Sequence, residues 1–490
     1  MVTHCRYEHA GQISLFPTGT PGQPALFSST SIREVAAVEQ PREVHDEEHE
    51  RVWERVAAID VAKGSGVVCT RVPDEDRTGR RKTHVHTVPA RVNAITELGD
   101  YLRARQIQVV TLESTSDYWR IWFVILEAAG LKVQLVNART VKNVPGRAKT
   151  DKNDAVWLAK LTERGMLRPS FVPPPEIRRL REFTRLRASL VQDRARYWAR
   201  MEKLLERALI KISDVMSELN CVSGRAMIEA LIAGQRNPRV LAGLARAGLR
   251  KKQAALTEAL TGQFEDHHGE LARILLDQID ALTAQVDRLD TRIGELLDQI
   301  PAAWGVDAGG ATGPQAGAGP DAAVLPAVAR LDEIAGCGLI AARAVIAEIG
   351  LDMTVFGSPH RLVSWARRCP QTRQSGAKTS HAPPGKGNPW LNGILGEIAA
   401  SAARTDTFLG ERYRRLARRR GKRKALAAIA RSILVIIYHL LASPEARYHD
   451  LGPDHYDTRT DRDRKIRNHI RQLQALGLDV TICPQAEPAA

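Results

Sequence analysis

Lys149-Thr150-Asp151-Lys152-Asn153-Asp154 stands where an apolar strand has just ended and a helical pattern, Ala155, Leu158, Ala159 and Leu161, begins. Two carboxylates three residues apart share one face of a helix, and a helix's first turn favours anions. That is half of a metal site. Asp60, within Val56-Ala57-Ala58-Ile59-Asp60-Val61-Ala62, and Glu113, closing Gln108-Val109-Val110-Thr111-Leu112-Glu113, supply the other half. Asp151 alone would serve as a helix N-cap, and Asp154 alone as a solvated first-turn acid. Asp60 is harder to explain that way, because an acid inside an apolar strand is costly unless it is paired or liganded.

Outward from these acids, the pattern gives three short β-type runs, Val56 to Ala62, Gly66 to Val72 and Thr83 to Val88, which predict an antiparallel meander. A helix (Val92 to Arg105), a strand (Val109 to Leu112), a helix (Trp119 to Ala129), a strand (Lys132 to Val136) and the helix at Asp151 follow. Strands alternating with helices imply parallel crossovers. A meander followed by such crossovers is the ribonuclease H-like order, an α/β fold with acids on its first strand, its fourth strand and a late helix. Two Mg²⁺ ions about 4 Å apart can assist phosphodiester cleavage, and hard cations need several carboxylate oxygens.

The bulk of the chain agrees with a polyanion partner. Its 490 residues carry 71 Lys and Arg against 56 acids, a net +15, and 43% of them are hydrophobic. Cys5, Cys69, Cys221, Cys337, Cys369 and Cys483 lie far apart, which argues against a disulfide framework and a zinc ribbon and for a reducing compartment. The N-terminal residues lack a basic region followed by an apolar core, so no secretory signal is expected. The apolar run Ser432 to Ala442 is too short for a membrane span and reads as a buried helix. Residues 1–50 read as a flexible, partly acidic extension, in which His4, Cys5 and His9 do not complete a metal-ligand spacing.

After Pro173-Pro174-Pro175 the pattern is helical and rich in arginine. Leu275, Ile279, Leu282, Val286, Leu289, Ile293, Leu296 and Ile300 step by four and three, which predicts a coiled-coil seam over part of residues 173–301. Spacing leaves open whether the seam closes within one chain or between subunits, and the reading favours subunits. Residues 302–325, rich in Gly, Ala and Pro, read as a linker and a domain boundary. In residues 326–490, Gly336-Cys337-Gly338 joins two helices in a hairpin that could offer N–H groups to a phosphate, although a plain helix-turn-helix turn is the alternative. Ser375 lies in a loop with Arg373, Lys378 and Lys386 around it. Such a serine is usually part of a turn, but with these cations it could attack a held phosphate. Arg412 to Lys424 contains nine basic residues and no acid, so Arg418, Arg419, Arg420, Lys422 and Arg423 are candidates for phosphate contact.

Taken together, Ile59-Asp60-Val61-Ala62-Lys63, Leu112-Glu113-Ser114-Thr115, Lys149 to Ala155, Gly336-Cys337-Gly338, Gln374-Ser375-Gly376 and Lys386-Gly387-Asn388 resemble the insertion-sequence 110 family of DEDD transposases over roughly residues 55–480. The resemblance implies an N-terminal RuvC-like domain over residues 51–172, a coiled-coil segment and a mainly helical C-terminal transposase domain with a catalytic serine. It puts Asp60, Glu113, Asp151 and Asp154 at the DEDD positions with Mg²⁺, or Mn²⁺ in its place, and Ser375 at the nucleophile position. It further implies donor and target DNA, a structured bridge RNA, and homodimers pairing into homotetramers in the bacterial cytoplasm at the nucleoid, with no membrane. Ser116 and Arg368-Cys369-Pro370 depart from the usual family pattern. The rival readings are a RuvC-like junction nuclease that uses metal-activated water, and a non-catalytic nucleic-acid scaffold.

Overall fold

The computed structural model describes residues 52–77, 79–114, 116–137, 151–304, 325–369, 371–375, 378–382, 385, 387–458 and 462–481, with backbone alone at 151, 371–375, 378–382, 457–458 and 462–465. The extension, most of the linker, Lys149, Thr150 and Lys386 lie outside the described residues. The chain divides into two compact units, with the break after Arg168.

The first unit is built on a mixed sheet. Its strands β1 (Val56–Val61), β2 (Ser65–Pro73), β3 (Arg81–Pro89), β4 (Val109–Ser114) and β5 (Val133–Asn137) lie in the order β3-β2-β1-β4-β5. β1, β2 and β3 are antiparallel, whereas β4 and β5 run parallel to β1. This is the ribonuclease H-like, RuvC-like order expected from the sequence. Helices α1 (Val92–Ala104) and α2 (Trp119–Ala128) make the crossovers. On one face Ile59 meets Trp122 of α2 so closely across Gly66 that a Cβ there would lie 2.8 Å from each. Helix α3 (Asp151–Glu163) covers the other face, where Val56, Ala58, Cys69 and Val109 pack against Ala155, Leu158 and Ala159. At its far end Thr162 bonds Thr111 at 2.8 Å, and Glu163, itself buried, pairs with Arg71 (2.7 Å) and Arg81 (3.2 Å). The Glu163 carbonyl accepts from the amides of Val52 and Trp53, so α3 runs opposite to β1.

The second unit opens with a two-residue strand, β6 (Pro169–Ser170), and then two helices of 33 residues each, α4 (Pro175–Arg207) and α8 (Asp266–Asp298), roughly 50 Å long. They lie side by side and antiparallel, with Arg187 pairing Asp290 and Arg194 bonding Thr283 at 3.2 Å. Ile279, Val286 and Ile293 are buried, while Leu275, Leu282 and Leu289 are half-buried. Within the chain the buried positions of the seam lie along α4, whereas the sequence reading favoured closure between subunits.

Each end of this stalk enters a core of its own. At the tip, Met201, Leu204, Leu205, Ala272 and Leu276 pack with α5 (Val222–Ile232), α6 (Pro238–Gly243) and α7 (Gln253–Ala259). At the base, Ile177, Leu180, Ile293, Leu296 and Ile300 join a larger core. That core also contains α9 (Ala327–Asp332), α10 (Leu339–Ile349), α11 (Pro359–Trp365), α12 (Pro389–Ala402) and α14 (Lys422–Ala442). α14 has the length and mean hydropathy (2.0) of a membrane span, but Ile429, Ile433, Leu434, Ile437 and Leu440 are buried in this core, as read for the apolar run. Gly336, at φ +83°, turns the chain between α9 and α10 where a Cβ would lie 2.6 Å from the Ala402 nitrogen. Helix α13 (Phe408–Arg420) stops at Gly421, φ +82°. Two short helices close the described chain, α15 (His455–Thr458) and α16 (Arg462–Ala475).

Candidate functional site

Parallel strands β1 and β4 pair through Ile59 and Leu112, and Asp60 and Glu113 are the next residues on each. Neighbouring strands lie about 4.8 Å apart and side chains alternate between faces, so two residues at one register position project together. Asp60 shares its face with Val56 and Ala58, and Glu113 with Val109 and Thr111. That is the face covered by α3. Glu113 is only 5% exposed, and Asp60 is half-buried between Ile59 and Val61.

Helix α3 brings the second pair of acids to the same end. It starts at Asp151, and Asp154 lies one turn before Leu158 and two before Thr162 on the stripe that faces the sheet. Because α3 runs opposite to β1, its first turn lies towards the strand ends that carry Asp60 and Glu113. Asp151 itself is described in backbone only. Among the described residues, no three His, Cys, Asp or Glu side chains come close enough together to hold a metal. The donor set is nevertheless all carboxylate, which suits a hard cation such as Mg²⁺, and a buried Glu113 is the kind of acid that a cation stabilises.

The second group of predicted residues lies in the second unit. Ser375 was expected in a loop, but it ends a strand. β7 (Gln371–Ser375) and β8 (Lys378–Ala382) form a hairpin in which Ser375 is opposite Lys378 and Arg373 opposite Ser380. The hairpin's backbone thus carries Ser375, Arg373 and Lys378 within one short element. Arg418, Arg419, Arg420, Lys422 and Arg423 lie elsewhere, exposed around the α13–α14 break. There a cleft of about 790 Å³ is lined by Arg414, Arg415, Arg418 and Arg419 together with the acids Asp406, Glu411 and Asp454. Arg415 sits 4.4 Å over the Tyr456 ring, and Arg412 donates to the Tyr456 hydroxyl at 2.9 Å.

Sequence reasoning missed a buried carboxylate in this unit. Glu348, 1% exposed on α10, is bound by Arg185 (2.8 and 2.9 Å) and by Asn388 Nδ2 (2.5 Å). An acid within the apolar run Leu339 to Ile349 was the signal, as it was for Asp60.

The family model described as "Transposase", of the DEDD insertion-sequence 110 type, matches residues 57–210, and the one described as "Transposase IS116/IS110/IS902 family" matches residues 328–414. No curated protein matches the chain. Among solved structures, the chain is similar to the Thermus thermophilus RuvC structure, at 16% identity and a TM-score of 0.19, over 24% of this chain and 99% of that one. A second similar structure is the T. thermophilus RuvC in complex with Holliday junction substrate, at 15% identity, the same score and the same coverage. The first family model spans the sheet, its acids and α4; the second spans the Gly336 turn, the serine hairpin and most of α13. The chain belongs to the insertion-sequence 110 family of transposases.

Proposed function

We propose that this transposase is an RNA-guided DNA recombinase in which Asp60, Glu113, Asp151 and Asp154 hold Mg²⁺ and Ser375 is the nucleophile. The observation that carries the reading is the adjacency of Asp60 and Glu113 on the face that α3 covers, with the Asp151–Asp154 turn at the same end. Mg²⁺ bound there would supply electrostatic stabilisation of the charge that builds on a phosphodiester. Ser375 Oγ forms a bond to phosphorus while the bond from phosphorus to the DNA's bridging oxygen breaks. The serine gives up its hydroxyl proton, and the leaving oxygen takes one up. A hydroxyl of the incoming strand later reverses the step, releasing Ser375 and joining the new ends.

Arg373, Lys378 and Lys386 steady the reacting phosphate. The exposed cations around Gly421 hold backbone phosphates of donor DNA, target DNA or the structured bridge RNA, which fixes position but carries no sequence information. Base pairing with the RNA sets the target, in protomers that work as homodimers and homotetramers in the cytoplasm.

The test is a covalent trap. With Mg²⁺, guide RNA and a nicked DNA substrate, the wild type should yield a DNA–protein adduct that survives denaturation and maps to Ser375. Ser375→Ala should give neither adduct nor recombination while still binding RNA and DNA. Cleavage by Ser375→Ala at the wild-type rate, with no adduct from either protein, would replace the serine with metal-activated water. Asp60→Asn, Glu113→Gln and Asp154→Asn should each abolish cleavage, as should EDTA.

A further inference from the structure

We propose that Glu348 is the positioning residue of the serine hairpin, a buried carboxylate that ties the hairpin's returning arm to the stalk helix α4. The proposal rests on the reading of Ser375 as nucleophile. A two-stranded hairpin with five residues in each strand is marginally stable by itself, so its orientation has to come from its anchors.

Both arms are held, in different ways. On the entering arm, the Arg368 amide donates to the Val363 carbonyl (3.0 Å) and its guanidinium to the Asn392 carbonyl (2.5 Å), both within the base core. On the returning arm, Gly387 passes so close to Ala366 that a Cβ would lie 2.6 Å from its carbonyl oxygen. Asn388 comes next and makes two kinds of bond. Its Oδ1 caps α12, accepting from the amides of Trp390 (3.0 Å) and Leu391 (3.3 Å). Its Nδ2 turns the other way and donates to Glu348 at 2.5 Å. Capping requires only the oxygen, so the second bond has another role.

Glu348 passes that hold to α4. Its two oxygens accept a bidentate pair from Arg185, and the Arg185 guanidinium carbon also lies 5.6 Å from the centre of the Trp390 ring, in the first turn of α12. Arg181, one turn earlier on α4, donates to the carbonyls of Ala347 (2.9 Å) and Glu348 (2.7 Å) at the end of α10, where a cation is favoured. The two arginines compensate the charge of a carboxylate this buried, and the Asn388 amide adds one neutral donor to them. One residue thereby joins α4, α10 and the arm that leads back from Ser375.

Asn388→Ser separates the two roles, because serine keeps a capping oxygen but loses the donor to Glu348. The full-length protein with RNA should then keep its melting temperature and its Kd for DNA, and lose cleavage rate roughly ten- to hundredfold, as a displaced nucleophile does. Hydrogen exchange of the hairpin amides at 371–382 should rise by about tenfold, the mark of a local element cut loose. Glu348→Gln should act in the same direction. An unchanged exchange pattern and rate in Asn388→Ser would overturn the proposal, as would a rate loss matched by loss of melting temperature and DNA affinity. Faster exchange with undiminished cleavage would overturn the positioning role and count against Ser375 as nucleophile, while leaving the physical anchor in place.

Discussion

Glu163 and the two cysteines of the cores show what single groups contribute. Glu163 stands between Arg71 and Arg81, and all three side chains are largely buried. Removing one partner of such a cluster leaves the others with uncompensated charge, so Glu163→Ala should lower the stability of the first unit by about 3 kcal/mol in denaturant unfolding. Cys69 and Cys337 are the opposite case, thiols in apolar surroundings. Burial pushes the Cys69 thiol up to about 11 and the Cys337 thiol up to about 12. Both should resist alkylation at pH 8 until the protein unfolds, since the thiolate is the reactive form. The folded state holds these protons more tightly than the unfolded chain, whose thiols ionise near 9. Stability is therefore unaffected well below that pH and falls as the pH rises through it towards 11. Urea titrations at pH 7.5 and pH 10 would read the difference.

Among the elements, the stalk gives the sharpest expectation. Val286 is buried near the middle of α8, whereas Leu282 and Leu289 are half-buried beside it. Val286→Lys puts an unpaired charge into the seam with α4 and should cost at least about 3 kcal/mol, visible as loss of helix signal at lower urea. Leu282→Lys with Leu289→Lys should be milder for folding. Sizing of that double variant tests whether the half-buried side also joins subunits. The seam was legible because its steps of four and three are local, but its partner was not, since nothing in the spacing of α8 points to α4. The same divide runs through the site. Asp60 and Glu113 were legible because acids interrupt apolar strands, and the strands themselves because period-two runs alternate with turn residues. The β7–β8 hairpin was hidden, because Gln371-Thr372-Arg373-Gln374-Ser375 has no apolar alternation to mark a strand. Asn388 and Arg185 were hidden as well, since their significance lies in meeting Glu348 across long separations.

At the scale of the whole molecule, net charge sets how the protein meets its partners. If a chain at +15 meets backbone phosphates as proposed, it releases counterions, and its nucleic-acid affinity should fall linearly on a log–log plot against salt. Replacing Arg418 and Arg419 together with Ala should flatten that slope by roughly two if each meets a phosphate. Fluorescence anisotropy over a range of KCl would measure it, and an unchanged slope would remove these two from the interface. The two ends of the stalk also impose an order on folding as the chain emerges from the ribosome. The tip core needs only residues between Trp198 and Leu276, whereas the base core must bring Ile177 together with residues as late as Leu441. Contacts close in sequence close first. The tip therefore assembles while the serine hairpin is still unmade, α8 zips back along a waiting α4, and Glu348 meets Arg185 only after that return, so a nascent chain interrupted before residue 348 holds a finished tip and no anchored hairpin.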